Sequence, residues 1–129
     1  MDEAGAAHAM VDAEAMVAED PKRMYEHNLV FHQLIYRAAH NRYILKFLNA
    51  ISDAISAHRS ISTLVQQARR QAVVREHRAV VAAIARRDAE AARNAAAGHI
   101  RSALKARTRL VHEAMIAEVR QRSRRFARS

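Results

Sequence analysis

One short stretch of the chain places two side chains of metal-ligand type, Asn28 and His32, four residues apart in a predicted helix. At 100° per residue, with Asn28 at zero, His32 lies at about +40° and Ile35 at about −20°. Phe31 lies at about −60° on the same apolar face. An unpaired polar group buried on such a face costs about 1–3 kcal/mol. The carboxamide and the imidazole therefore need polar partners or a metal ion supplied by other parts of the chain.

Two further histidines lie within the apolar stripes of later helices. His77 lies about 40° from Val73, and His99 lies about 20° from Ala92 in a stripe of small residues. One inward histidine is more often a core residue with hydrogen-bond partners than a metal ligand. Three of them on separate helices, together with a carboxamide oxygen, favour a site for a divalent ion such as Zn, Ni, Mn or Fe, with positions left open for water or a ligand carboxylate. Both readings stay open. Four other histidines lie off the apolar faces or have no clear face: His8, His27, His40 and His112.

The composition predicts the fold that has to position these side chains. The chain has 129 residues, half of them apolar, with only two glycines and one proline, which is typical of an all-α protein. The absence of cysteine excludes disulfides and thiolate zinc sites. No apolar run reaches the ~18 residues of a membrane span, and no signal peptide is recognisable, so we expect a cytoplasmic protein without membrane contact.

Start and stop residues divide the chain into helices. Asp20 and Pro21 are typical of a helix N-terminus, while Asn41 and Asp88 are expected to cap later helices. We predict an antiparallel bundle of about six helices, because the connections are short. We expect residues 1–19 to be an N-terminal helix or the remnant of a linker, and residues 20–129 to be the main helical domain. The predicted helices cover residues 2–18, 21–39, 43–58, 66–86 and 89 to beyond 119.

The net charge of +9 is concentrated at the C-terminus, where nine basic and only two acidic residues follow from Arg101 onward. A solvated helix face is the favoured explanation for such a run. Contact with nucleic-acid phosphates is the alternative. Phe126 is the only aromatic residue in the basic tail, so stacking on bases has little support.

Four motifs, in order and spacing, resemble one known family. They are Asn28-x-x-Phe31-His32, Ala38-Ala39-His40-Asn41, Glu76-His77-x-x-Val80-x-x-Ala83-Ile84, and Asp88-x-x-x-Ala92 followed by His99. Together they resemble the FCD domain, the C-terminal effector-binding domain of FadR-type GntR transcriptional regulators, over residues 20–110. The resemblance implies an antiparallel α-helical bundle that forms a homodimer and binds a divalent metal ion (Zn, Ni or Mn) beside a small carboxylate effector. It maps the four ligand positions onto Asn28, His32, His77 and His99.

The chain departs from that family in two ways. Asn28 stands where the family often has Asp, and a neutral amide implies weaker metal binding and a preference for an anionic effector. Family members carry a winged helix-turn-helix domain before this one, whereas about twenty residues precede the second helix here. We therefore expect either a sensor domain cut from a regulator or a short relative, which contacts DNA only through the missing domain and does not bind an operator by itself.

Three functions compete at this point. The first is a sensor in which Arg59, at the end of the third helix, clamps the effector carboxylate, although a surface arginine is the more common role of such a residue. The second is a metal-free dimerisation bundle, with the apolar faces of the first and last helices as candidate interfaces. The third and least favoured is a metal-dependent hydrolase, because Glu76 lies about 100° from His77 and is expected to point away from it.

Overall fold

A computed structural model of the protein describes residues 3–56 and 62–128. Within these residues the regular structure is helical throughout, and no strand is present. The all-α prediction is thereby confirmed, and no helix of the described ranges is long and apolar enough to cross a bilayer. The elements are α1 (Glu3–Val17), α2 (Pro21–Ala38), α3 (Arg42–Ser56), a 3-10 turn (Thr63–Val65), α4 (Gln67–Ala85) and α5 (Ala89–Phe126).

Short polar side chains start three of these helices, as the sequence predicted. Asp20, Asn41 and Asp88 each accept hydrogen bonds from backbone N–H groups in the first turn of the helix that follows. His40 and Arg87, just beyond the ends of α2 and α4, have positive φ angles of 48° and 56°. A left-handed residue there ends the helix and turns the chain toward the next one.

The core lies between α1, α2, α4 and the first part of α5. The first helix packs against both α2 and α4, and it buries Ala7 and Val11 completely or nearly so. In contrast, α5 leaves the core near Leu110, and its second half is almost entirely exposed. The buried apolar residues of the main cluster are Ala7, Val11, Met24, Phe31, Leu64, Val73, Val74 and Val81.

The third helix turns its most apolar face away from the bundle. It packs mainly on α2, where the Gln33 amide nitrogen donates a hydrogen bond of 2.6 Å to the Asn49 side-chain oxygen. Helical periodicity groups Ile44, Leu48, Ile51 and Ile55 in one apolar stripe, which predicts an inward face. In the structure Ile44, Ile51 and Ile55 are 40–54% exposed. Periodicity located this stripe correctly, but no other helix of the described chain covers it.

Arg70 ties three separate segments together near the start of α4. Its buried guanidinium donates hydrogen bonds to the carbonyl oxygens of Ala18, Leu64 and Val65, which follow α1 and lie in the 3-10 turn. These carbonyls belong to irregular backbone that has no helical partner there. The single side chain therefore fixes the first helix and the 3-10 turn against α4.

Replacing Arg70 with Met should lower the free energy of unfolding by about 2–4 kcal/mol, because three carbonyls lose a charged donor. Urea denaturation followed by circular dichroism measures the change. Arg75→Met, at an exposed position of the same helix, is the matched control and should change stability by less than about 0.5 kcal/mol. Equal stability of the two variants would show that the Arg70 contacts contribute little.

Candidate metal centre

Three imidazoles from three helices converge inside the bundle. His32 on α2, His77 on α4 and His99 on α5 place their Nε2 atoms side by side. The His77 and His99 Nε2 atoms are 3.3 Å apart, and the His99 and His32 Nε2 atoms are 3.4 Å apart. One ligand atom from each of the three residues lies within 4.8 Å of the others. The cluster thus brings together the three histidines that the helical periodicity had turned inward.

Two carboxylates hold the opposite edges of two of these rings. His77 Nδ1 lies 2.8 Å from Oε2 of Glu14, and His99 Nδ1 lies 2.6 Å from Oε2 of Glu76. An ionised carboxylate only accepts hydrogen bonds, so with Glu14 and Glu76 ionised we assign the proton of each ring to Nδ1 from this network. The Nε2 atoms of His77 and His99 are then unprotonated, and their lone pairs face each other.

Two nitrogen lone pairs that face each other repel, unless a proton or a cation lies between them. His32 can donate an Nε2–H to one of the two nitrogens, but it cannot satisfy both. A divalent cation accepts lone pairs from all three rings, and neutral imidazole is a common ligand of Zn, Ni and Mn. A carboxylate behind a ligand imidazole is also the arrangement that orients metal-binding histidines in proteins. The donor set therefore fits a transition-metal ion.

The carboxylate behind His99 is itself held in place. Arg69 donates to both oxygens of Glu76, at 2.8 and 3.1 Å, and both residues belong to α4. The guanidinium is buried, and the parallel pair of hydrogen bonds fixes the plane of the carboxylate. Arg69 also balances the charge of Glu76, so this outer pair adds little net charge to the site.

Aromatic packing fixes the ring of His77. Phe31, one residue before His32, stacks on it with 3.8 Å between ring centroids and 13° between the planes. Both side chains are almost fully buried. His77 is therefore held on its face by Phe31 and at its Nδ1 edge by Glu14. Its Nε2 atom is then the one whose lone pair can bind a metal ion.

Burial sets the charge state of the cluster. It lowers the pKa of both His32 and His77 to about 3, with neighbouring imidazoles adding to the effect, so both rings are neutral at neutral pH. Burial raises the pKa of Glu14 to about 7 against the opposing influence of His27 and His99. Burial alone would also raise the pKa of Glu76, but hydrogen bonds from Arg69 and His99 bring it below its usual value. Neutral imidazole is the form that binds metal.

A cavity of about 720 Å³ opens beside the histidine cluster. His32 and His99 lie in its wall, and Asn28, the fourth predicted ligand, lines the same cavity one turn before His32. Arg59, the predicted effector clamp, lies outside the described residues. The cavity wall also includes Arg69, Arg107, Asp53, Ile100, Ala103 and Leu104.

Sequence reasoning missed the two carboxylates. Glu14 occupies a position in line with Ala7 and Val11 on the buried face of α1, so a lone acid within an apolar stripe was the available clue. Glu76 does point away from His77, as its angle predicted, but it reaches His99 on the neighbouring helix. Contacts between residues 63 and 23 positions apart in the chain cannot be derived from helical periodicity.

Comparison with known proteins gives one family. A family model described as FCD domain matches residues 1–102, which includes α1, all three histidines and both carboxylates. No curated protein and no solved structure shows significant similarity to the chain.

The buried ionisable groups should make the metal-free protein sensitive to acid. Since the pKa of His32 and of His77 is about 3 when folded and near 6.5 when unfolded, the unfolded state takes up protons first as the pH falls. Each imidazole therefore removes up to about 1.4 kcal/mol of stability per pH unit below about pH 6.5. Glu14 opposes this loss between about pH 7 and 4.5, because its raised pKa favours the folded state as it protonates.

We therefore expect the free energy of unfolding to fall gently from pH 6.5 to 4.5 and steeply below pH 4.5, where Glu14 no longer offsets the imidazoles. Urea titrations of chelator-treated protein at several pH values measure this profile. Glu14→Gln removes the opposing contribution and should steepen the upper part of the curve. A stability that stays constant from pH 7 down to pH 4 contradicts the assigned neutral state of the rings.

Proposed function

Because the chain belongs to the FCD family, the effector-binding domains of GntR-type transcription regulators, we propose that it senses a small carboxylate through a divalent metal ion. The ion would be held by His32, His77 and His99, with Asn28 as a fourth ligand through its carbonyl oxygen. The observation that carries the proposal is the convergence of three imidazole Nε2 atoms, with carboxylates at the Nδ1 edges of His77 and His99.

The charges around the cluster support an anionic effector. The three imidazoles and the Asn28 amide are neutral donors, and both carboxylates stand behind the rings rather than among the donor atoms. A cation bound there would keep most of its charge toward the cavity, where an acid could complete its coordination. Nickel, zinc and manganese are the candidate ions for such a nitrogen-rich set.

The position of the cavity supports a regulatory role. Its wall includes residues of α2, α3, α4 and α5, so a ligand in it contacts four helices at once. A ligand shifts an equilibrium only if it prefers one arrangement of these helices. We propose that this preference alters DNA binding by the winged helix-turn-helix domain that accompanies FCD domains in regulators.

Hydrolysis is a weaker explanation of the same cluster. A metal-dependent hydrolase needs a general base that can reach water on the open side of the ion. Glu14 and Glu76, the two carboxylates in contact with the rings, both accept from Nδ1 on the far side. The arrangement therefore supports binding and orientation rather than proton transfer to a substrate, and we propose a sensor and not an enzyme.

The exposed face of α3 supports a homodimer. Five large apolar side chains of this helix are 40–71% exposed, although soluble monomers rarely present a contiguous apolar surface of this kind. A second copy of the chain can cover the row with the same row, as a twofold interface requires. The sequence offered the apolar faces of the first and last helices as candidate interfaces. Of these, α1 buries Ala7 and Val11 in the bundle core. The five residues are Tyr43, Ile44, Phe47, Ile51 and Ile55.

Elemental analysis of untagged protein purified without chelators tests the metal site. We expect about one divalent ion per chain and a rise in melting temperature when Zn²⁺ or Ni²⁺ is added to metal-free protein. His99→Ala should lose the ion and the shift, because it removes the nitrogen that neighbours both other rings. His112→Ala, at an exposed position of the same helix, should keep both. Equal metal content in the two variants rejects the site.

Sedimentation velocity tests the proposed interface. Phe47→Glu places one negative charge from each copy at the centre of the row of exposed apolar side chains. The substitution should convert the proposed dimer to monomer at micromolar concentration. Lys46→Glu, an exposed charge reversal at the neighbouring position, is the control and should leave the dimer intact. A dimer that survives Phe47→Glu with unchanged affinity places the interface elsewhere.

A further inference from the structure

The cavity contains a second cationic position, at a distance from the histidine cluster. We infer that the effector carries two acidic groups, and that Arg107 of α5 binds the second one while the first lies at the imidazoles. This inference rests on the proposed metal-dependent sensing and adds the class of ligand to it. The chemistry is that of an aliphatic dicarboxylate rather than a simple monocarboxylic acid.

Of the two described arginines in the cavity wall, only one is available to a ligand. Arg69 is committed to Glu76 through two hydrogen bonds. Arg107 is half-buried at the wall and forms no ion pair or hydrogen bond within the described part of the chain. Asp53 of α3 also lines the cavity, but it is exposed and makes no ion pair with Arg107. An unpaired guanidinium at a cavity wall is a ready partner for a carboxylate.

The geometry of α5 sets the two acid positions apart. Arg107 follows His99 by eight residues, which corresponds to about 12 Å along the helix axis. Its angular position is about 80° from His99, between Ala103 at about 40° and Ile100 at about 100°. All of these residues line the cavity, so Arg107 lies in the middle of the helix face that the cavity meets. Its side chain leans toward the helix N-terminus, and thus toward the histidines.

The surface between the two positions is apolar. Ala103 lies between His99 and Arg107 on the helix face, and Ile100 and Leu104 flank this path. All three line the cavity, and Ile100 and Leu104 are 58% and 64% exposed. A hydrocarbon chain could cover them while its two ends reach the imidazoles and the guanidinium. A monocarboxylic acid of the same length would bring an apolar end to Arg107 and leave that cation unpaired. The wall therefore matches a molecule with acidic ends and an aliphatic middle.

Isothermal titration calorimetry on the full chain loaded with Zn²⁺ tests the inference. The probes are saturated α,ω-dicarboxylates of increasing chain length, each compared with the monocarboxylate of equal carbon number. At the best length we expect the dicarboxylate to bind about 10- to 100-fold more tightly, as one charge-assisted pair allows. Arg107→Met should remove this advantage and leave monocarboxylate binding unchanged. Arg109→Met, at an exposed position outside the cavity wall, should retain it.

Each other outcome has a defined meaning. Equal binding of the two acids at every length, or an advantage that survives Arg107→Met, overturns the role of Arg107. The same holds if zinc binds normally but no dicarboxylate does, and in that case the metal site itself stands. A chain that binds no zinc contradicts the proposed function and the inference with it. Arg107→Lys, which keeps the charge but loses the bidentate geometry, should retain part of the advantage and guards against a folding defect in Arg107→Met.

Discussion

Two carboxylates, one fully buried and one half-buried, determine what the centre of this bundle can do. In their ionised forms Glu14 and Glu76 accept from the Nδ1 edges of His77 and His99, and this fixes which nitrogen of each ring carries the proton. With the outer edges committed, the inner nitrogens have only lone pairs to present, and they lie 3.3 Å apart. The same two contacts join α1 to α4 and α4 to α5, so the polar network that defines the site also holds three helices together.

Such a network carries a cost that apolar packing must offset. Burying a carboxyl group without full hydrogen bonding costs several kcal/mol, and one oxygen of Glu14 has no partner among the described residues. The stacking of Phe31 on His77 and the apolar cluster around Val73 surround the polar groups. The raised pKa of Glu14 reflects the same cost of burial, because a charged carboxylate is poorly solvated at that position.

The sequence predicted local features well and distant contacts poorly. The caps at Asp20, Asn41 and Asp88 and the inward direction of the three histidines follow from neighbours within one or two turns, where helical geometry is decisive. Glu14 was missed because its partner lies 63 residues away, and periodicity carries no information about which helix faces which. The outward stripe of α3 is the same failure, since a pattern identifies an apolar face but not what covers it. Asn28 as a ligand stays a prediction.

The helix α5 extends far beyond the cavity that its first half lines. From His99 to the end of the helix at Phe126, the backbone extends about 40 Å, most of it free of the bundle. A rigid rod of that length works as a lever: tilting it by about 5° at the histidine end sweeps the tip through roughly 3–4 Å. Arg124 and Arg125 lie in the last turn, at the end of the helix that moves most. Any tilt of the helix at the imidazoles would therefore displace the positive charge at its far end by several ångströms.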